Sequence, residues 1–218
     1  MLMKSMLVIG LGRFGRHLAM EFSRLGNEVL AVDINEAEVE RIAPHVTSAQ
    51  IGDCTKSAVL RSLGVRNFDY CVVCLSSNFE ASLEVTLQLK ELGARHVISK
   101  AGRDIHAKFL ARNGADEVVY PEKQRGEQMA KRLNANQVFD YFDLTENYSI
   151  IETPVRESWV GKTIAQVDVR AKFNVSILAV KRGEQIQPII QAGYVFSEGE
   201  HLLVFGRSED LVKFTRKA

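Results

Sequence analysis

Gly10-Leu11-Gly12-Arg13-Phe14-Gly15 follows the apolar run Met6 to Ile9 and opens a segment in which Phe14, Leu18, Phe22 and Leu25 recur at helical spacing. A G-x-G-x-x-G run acquires chemical meaning in that strand-to-helix context. Gly10 permits the tight turn, Gly12 lets an anion approach the backbone without meeting a Cβ, and Gly15 lets the helix pack closely on the sheet. Exposed N–H groups and the helix dipole then favour a phosphate. Asp33 closes the second apolar run, eighteen residues after Gly15, where a carboxylate accepts hydrogen bonds from both ribose hydroxyls. Ile34 and Asn35 follow without an adjacent arginine, so a 2′-phosphate would meet a carboxylate and no cation. NADP is therefore disfavoured.

Other residues tempt less. Asp53, in Gly52-Asp53-Cys54-Thr55, stands where a third strand hands over to a helix, and it either faces an adenine edge or caps that helix. Cys71-Val72-Val73-Cys74 matches C-x-x-C, but residues three apart in a strand point to opposite faces, which suits neither redox nor zinc chemistry. His17, His45, His96, His106 and His201 show no paired ligand spacing and read mostly as surface or strand-edge residues. Hydride transfer needs an acid or base beside the nicotinamide, and only His201, embedded in an apolar strand, offers an obvious proton shuttle. No catalytic set is expected.

The elements that position these residues alternate. Met6 to Ile9, Val29 to Val32, Val46 to Ile51, Tyr70 to Leu75, His96 to Ser99 and Glu117 to Tyr120 read as strands with helical segments between them, which predicts an α/β, doubly wound parallel sheet of Rossmann type. Glu122 to Leu133 looks helical, and the aromatic cluster Phe139, Tyr141, Phe142 then breaks the alternation. The boundary is expected near residue 143, dividing the chain into 1–143 and 144–218. Beyond it, Ser149 to Val155, Val175 to Lys181, Gln185 to Ile190 and His201 to Phe205 read as short strands, and Ser158 to Val169 and Ser208 to Phe214 as helices, giving a small α+β domain. The 218 residues are 46% apolar and 25% charged with a net charge of +1, which offers no single-sign field for nucleic acid or an anionic membrane. Three cysteines make no disulfide framework, and no apolar run is long enough for a transmembrane helix.

Taken together, Val8 to Gly15, Glu28 to Asp33, Gly52-Asp53-Cys54-Thr55, Gly114-Ala115-Asp116, Tyr120-Pro121-Glu122-Lys123 and Asp168 to Lys172 resemble the regulatory subunits of bacterial Trk/Ktr potassium-uptake systems. In that family an RCK domain, also called KTN or TrkA-N, precedes a small TrkA-C domain. The resemblance runs from end to end. The first motif alone is shared with many dehydrogenases, but the ordered set and the length are more specific.

The resemblance implies a cytoplasmic subunit, peripheral at the inner face of the membrane, that binds ATP, ADP or NAD(H) and forms dimers and then an octameric ring beneath a potassium-translocating membrane subunit. No enzyme activity and no nucleic-acid partner are expected. Phe14, Cys54 and Lys100 join the glycines, Asp33 and Asp53 in the expected nucleotide set. Arg13 is expected to reach the terminal phosphate of ATP, or else to be an exposed helix-start arginine. Glu122 is expected near the dimer interface and near a divalent cation, Mg or Ca, or else to serve only its helix N-terminus. For the second domain the resemblance implies cyclic di-AMP bound between two lobes at Ile164 to Val175. Asp168, Arg170 and Asn174 are the polar residues, and Ile164, Phe173 and Val175 the apolar ones; an Asp168/Arg170 ion pair is the alternative. Two rival functions stay open: an NAD-dependent oxidoreductase and a free-standing NAD(H) redox sensor.

Overall fold

Side chains of β1 (Ser5–Ile9) alternate between two cores: Leu7 and Ile9 pack with Cys71, Val73, Val85 and Leu89, while Met6 and Val8 pack with Val29, Ala31 and Val72. A strand buried on both faces belongs in the middle of a parallel sheet covered by helices. The computed structural model describes residues 3–75, 77–134, 138–145, 147–188 and 190–216. After β1 come α1 (Arg13–Arg24), β2 (Glu28–Asp33), α2 (Glu36–Ile42), β3 (Ser48–Ile51), α3 (Ser57–Ser62), β4 (Tyr70–Val73), α4 (Phe79–Glu91), β5 (Val97–Lys100), α5 (Asp104–Arg112) and β6 (Glu117–Val119). All pairings are parallel, in the order β3-β2-β1-β4-β5-β6. This is the doubly wound order, and its direction reverses between β1 and β4, where the strand ends leave a crevice.

Contacts divide the chain into residues 1–122 and 123–218, with α6 (Pro121–Asn134) running through the division. The second unit holds β7 (Asp140–Asp143), β8 (Tyr148–Pro154), α7 (Ile164–Val167), α8 (Val169–Phe173), β9 (Val175–Arg182), β10 (Gln185–Gln187), β11 (His201–Arg207) and α9 (Ser208–Arg216). Its sheet is antiparallel, in the order β10-β9-β11-β8-β7. Trp159 centres the core beside Phe173, Phe196 and Phe214, with ring centroids 6.5, 6.0 and 5.9 Å away. Arg156 lies over three of these rings, 4.5 Å from the centroid of Trp159, 5.0 Å from Phe173 and 4.9 Å from Phe214, and donates to the Phe214 carbonyl. No helix among the described residues is long and apolar enough to cross a membrane.

Tyr141, in the aromatic cluster at 139–142, points into the second core from β7, and the contacts place that cluster in the unit that starts at residue 123. Two sequence expectations are revised. The helix expected over Ser158 to Val169 is a 3-10 turn at Glu157–Trp159 followed by the short α7, because Gly161 (φ 79°) and Asp168 (φ 47°) adopt left-handed backbone. His106 is buried, not superficial; its Nδ1 accepts the Gly102 N–H at 3.3 Å, which leaves Nε2–H to donate to Ser82 Oγ at 2.6 Å.

Candidate functional site

The crevice at the β1/β4 reversal is a cleft of about 420 Å³ bordered by Gly10, Gly12, Asp33, Asp53, Cys54 and Leu75, within the ~300–1,000 Å³ usual for small-molecule sites. Its glycines are constrained differently. A Cβ on Gly15 would lie 2.0 Å from the Gly10 carbonyl oxygen, so the first turn of α1 closes against the loop only with glycine there. A Cβ on Gly12 would meet nothing within 4 Å and would project into open space at the start of α1. No side chain caps α1 and no acidic residue lies in its first turn, so its N-terminal N–H groups remain directed at an incoming anion.

Asp33 does more than the sequence discloses. Its Oδ2 accepts the Leu11 N–H at 2.6 Å and its Oδ1 the Asn35 N–H at 2.8 Å, which ties the glycine loop to the end of β2. A carboxylate offers about four acceptor positions, so two remain for the hydroxyls of a ribose. Asp53 borders the cleft but does not cap α3, whose preceding residue is Lys56; its Oδ1 instead accepts the Thr55 N–H at 3.2 Å and the Thr55 hydroxyl at 2.6 Å. These bonds hold the Asp53 carboxyl below the usual carboxylate range.

Cys54 and Cys74 border the cleft, but burial pushes both thiols up to about 12 and does the same to Cys71, so all three are protonated, weakly nucleophilic thiols at neutral pH. Cys71 and Cys74 pack into opposite cores, as alternation along a strand requires.

A second group gathers at the ends of β5 and α6. Lys100 Nζ donates to Glu122 Oε1 at 2.7 Å and lies 5.8 Å from the centroid of the Phe14 ring. Lys100, and more weakly the charge of Arg13, hold the Glu122 carboxyl below its usual range. Arg13, exposed at the start of α1, makes no hydrogen bond or ion pair among the described residues, so its guanidinium is available to a phosphate. Phe14, Lys100 and Glu122 are therefore brought together, with Arg13 near them, while Gly10, Gly12, Asp33, Asp53 and Cys54 border the cleft and Gly15 closes against Gly10.

The second unit holds a smaller cleft, about 300 Å³, bordered by Ile164, Asp168, Arg170, Ile177 and Ile190. Thr163 starts α7 through a capping box with Gln166, and Asp168, in left-handed conformation, ends α7 and caps α8 by accepting the Ala171 N–H at 3.4 Å. Asp168 and Arg170 form no ion pair among the described residues. Two apolar expectations are corrected: Phe173 and Val175 face the Trp159 core, and Ile177 and Ile190 line the cleft in their place. Asn174 does not border it either; its Nδ2 donates to Asp210 Oδ2 at 3.0 Å.

Residues 6–121 match the TrkA-N domain and residues 150–218 the TrkA-C domain. Across 98% of its length the chain is 38% identical to the Ktr system potassium uptake protein C of Bacillus subtilis (strain 168), covering 97% of that protein. The chain belongs to this family. It is also 39% identical to the Ktr system potassium uptake protein A of the same organism, over 97% of this chain and 95% of that one. Its fold is shared with the RCK domain of GsuK, with a TM-score of 0.68 at 20% identity over 98% of this chain and 47% of that one. The GsuK channel bound to NAD gives a TM-score of 0.69 at 20% identity, with 98% and 39% covered. The Ktr-type chain thus spans half or less of those GsuK chains.

Each matched domain carries one of the two clefts. What the sequence of this Ktr-type chain did not reveal is the hold of Asp33 on Leu11, and a carboxylate beside it: Glu38 also borders the first cleft and accepts a hydrogen bond from Arg16 at 3.0 Å. Those partners stand 22 positions apart in sequence, and no local spacing signals them.

Proposed function

We propose that the chain is the cytoplasmic, nucleotide-responsive regulatory subunit of a potassium-uptake system, peripheral at the inner face of the membrane, and that it acts by binding and not by catalysis. The observation that carries this reading is the cleft at the sheet reversal, where Asp33 retains acceptor positions for a ribose and the uncapped α1 faces the place of a phosphate. The family supports the potassium partner, since its relatives are named potassium uptake proteins. The NAD-bound GsuK channel supports a dinucleotide on this fold. ATP, ADP and NAD(H) share the adenosine that the cleft recognises.

The finer parts of the proposal are an octameric ring of dimers docked beneath an integral-membrane potassium-translocating subunit, and a functional division into an RCK domain with its crossover helix, 1–143, and a TrkA-C domain, 144–218. Moving a ring from 1:99 to 99:1 between two shapes takes about 5.5 kcal/mol of differential binding, which several identical sites can supply jointly. A divalent cation at Glu122 would need ligands beyond this chain's own, because that carboxylate already bonds Lys100, and the described residues hold no group of three His, Cys, Asp or Glu placed for a metal.

Arg13 is proposed to tell ATP from ADP. Its guanidinium can extend past the glycine loop to a terminal phosphate that ADP lacks, and losing such a charge-assisted bond costs about 1.5–3 kcal/mol, roughly ten- to a hundredfold in affinity. The test is titration of Arg13→Ala with both nucleotides, together with potassium flux through the membrane partner in liposomes. ATP is expected to lose most of its advantage and the ATP/ADP difference in flux to disappear. Equal losses for ATP and ADP would place the switch elsewhere. NADH is expected to bind without being consumed; steady oxidation of NADH with a small carbonyl compound, abolished by Asp33→Ala, would favour the enzyme reading instead.

For the second cleft the proposed ligand is cyclic di-AMP, supported by a guanidinium, Arg170, beside an apolar wall of Ile164, Ile177 and Ile190. Arg170→Ala in the full chain is expected to weaken cyclic di-AMP about tenfold or more while leaving ATP affinity unchanged. If both chains ignore the ligand at micromolar concentration, the second site is refuted.

A further inference from the structure

Glu38 occupies an unusual position at the rim of the adenosine cleft. It borders the cleft together with Asp33, Ile34 and Asn35. Its Oε2 accepts Arg16 Nη1 at 3.0 Å and its Oε1 accepts Arg41 Nη1 at 2.8 Å, so one carboxylate is shared between two guanidiniums. Arg16 reaches it from α1 and Arg41 from the last turn of α2. The Arg16 and Glu38 side chains are 24% and 25% exposed, shielded enough for the pair to be ordered, whereas Arg41 is 56% exposed.

The sequence shows no arginine next to Ile34 and Asn35, yet the fold brings two arginines to that neighbourhood from elsewhere. An arginine near the carboxyl end of β2 is what lets a dinucleotide fold accept a 2′-phosphate. Here both guanidiniums are bound by Glu38, and an incoming 2′-phosphate would face Asp33 and Glu38, two carboxylates, with both cations already engaged. We propose that Glu38 is a specificity-determining residue: by engaging Arg16 and Arg41 it closes the cleft to ligands bearing a 2′-phosphate and reserves it for the free ribose. The ligand class thereby selected is the nucleotide or dinucleotide with an unmodified adenosine ribose, and the rejected class is its 2′-phosphorylated counterpart. Removing Glu38 takes away one of the repelling charges and releases two phosphate-binding groups, so its effect falls on the 2′-phosphate alone.

This inference rests on the adenosine reading of the cleft, and the test separates the two. Full-length wild type, Glu38→Ala and the double variant Arg16→Ala/Glu38→Ala are titrated with NADH and NADPH, followed by nicotinamide fluorescence. Wild type is expected to bind NADH and discriminate against NADPH. Glu38→Ala is expected to keep NADH affinity within about threefold and to gain about tenfold or more for NADPH, the size of one charge-assisted contact. The double variant is expected to lose part of that gain, Arg41 remaining released, which distinguishes a released arginine from mere loss of negative charge. Retained NADH binding with an unchanged NADPH/NADH ratio in Glu38→Ala overturns the role of Glu38, and a gain undiminished by loss of Arg16 overturns the role of Arg16. If wild type binds neither cofactor, this inference fails; the adenosine reading fails with it only if ATP and ADP are not bound either.

Discussion

Gly15→Ala is expected to cost the chain both its nucleotide and much of its stability, whereas Gly12→Ala, three residues away, is expected to cost only the nucleotide. The added methyl at Gly15 would stand 2.0 Å from the Gly10 carbonyl oxygen. Its obstacle is backbone in a tight turn whose Gly10 already adopts φ 93°, and no flexible side chain is there to yield. Either α1 lifts from the sheet or the loop rearranges, and overpacking of this kind costs about 1–3 kcal/mol and occasionally more. The loop that presents N–H groups to the phosphate is displaced in either case, so binding is expected to fall below detection. At Gly12 the same methyl meets nothing within 4 Å in the free protein. It stands where the phosphate must approach, so melting is expected to stay near wild type while affinity falls. Thermal unfolding paired with titration checks both variants; equal loss of stability in the two would show that the loop tolerates no side chain for structural reasons alone.

Asp33→Ala is expected to weaken ATP, ADP, NAD and NADH to a similar extent, by about ten- to a hundredfold, because all four present the same ribose and a hydrogen bond to a charged group is worth about 1.5–3 kcal/mol. A second consequence follows from its contacts in the free protein. Without the carboxylate, the Leu11 and Asn35 N–H groups lose their acceptor, which at 2.6 and 2.8 Å is a close one. An unsatisfied, partly buried donor costs about 1–3 kcal/mol, so the melting temperature is expected to drop as well. A loss confined to one nucleotide would contradict the ribose role, and unchanged stability would contradict the loop-tethering role.

The first cleft was legible because its determinants are local. A strand, three glycines and a helix lie consecutively, and Asp33 ends the next strand, so period and spacing locate them without tertiary information. The six-strand parallel sheet followed from the same alternation. What was not legible depends on partners remote in sequence. β7 is four residues long at the edge of its sheet and exists through pairing with β8; its Asp140-Tyr141-Phe142-Asp143 presents one buried side chain, too little to register as alternation. Phe173 reads as a cleft residue by position but is drawn into the Trp159 core under the Arg156 guanidinium. Arg16 and Glu38 meet only because α1 and α2 both pack near β2.

The central claim is that the cleft between β1 and β4 binds adenosine nucleotides through its glycine loop. Calorimetric titration of the purified full chain with ATP, ADP, NAD and NADH, run beside folded Gly12→Ala, tests it most directly. Saturable binding of at least one of these ligands by wild type, lost in Gly12→Ala at an unchanged melting temperature, is the expected result. Absence of binding to all four, or binding indifferent to that substitution, would contradict it.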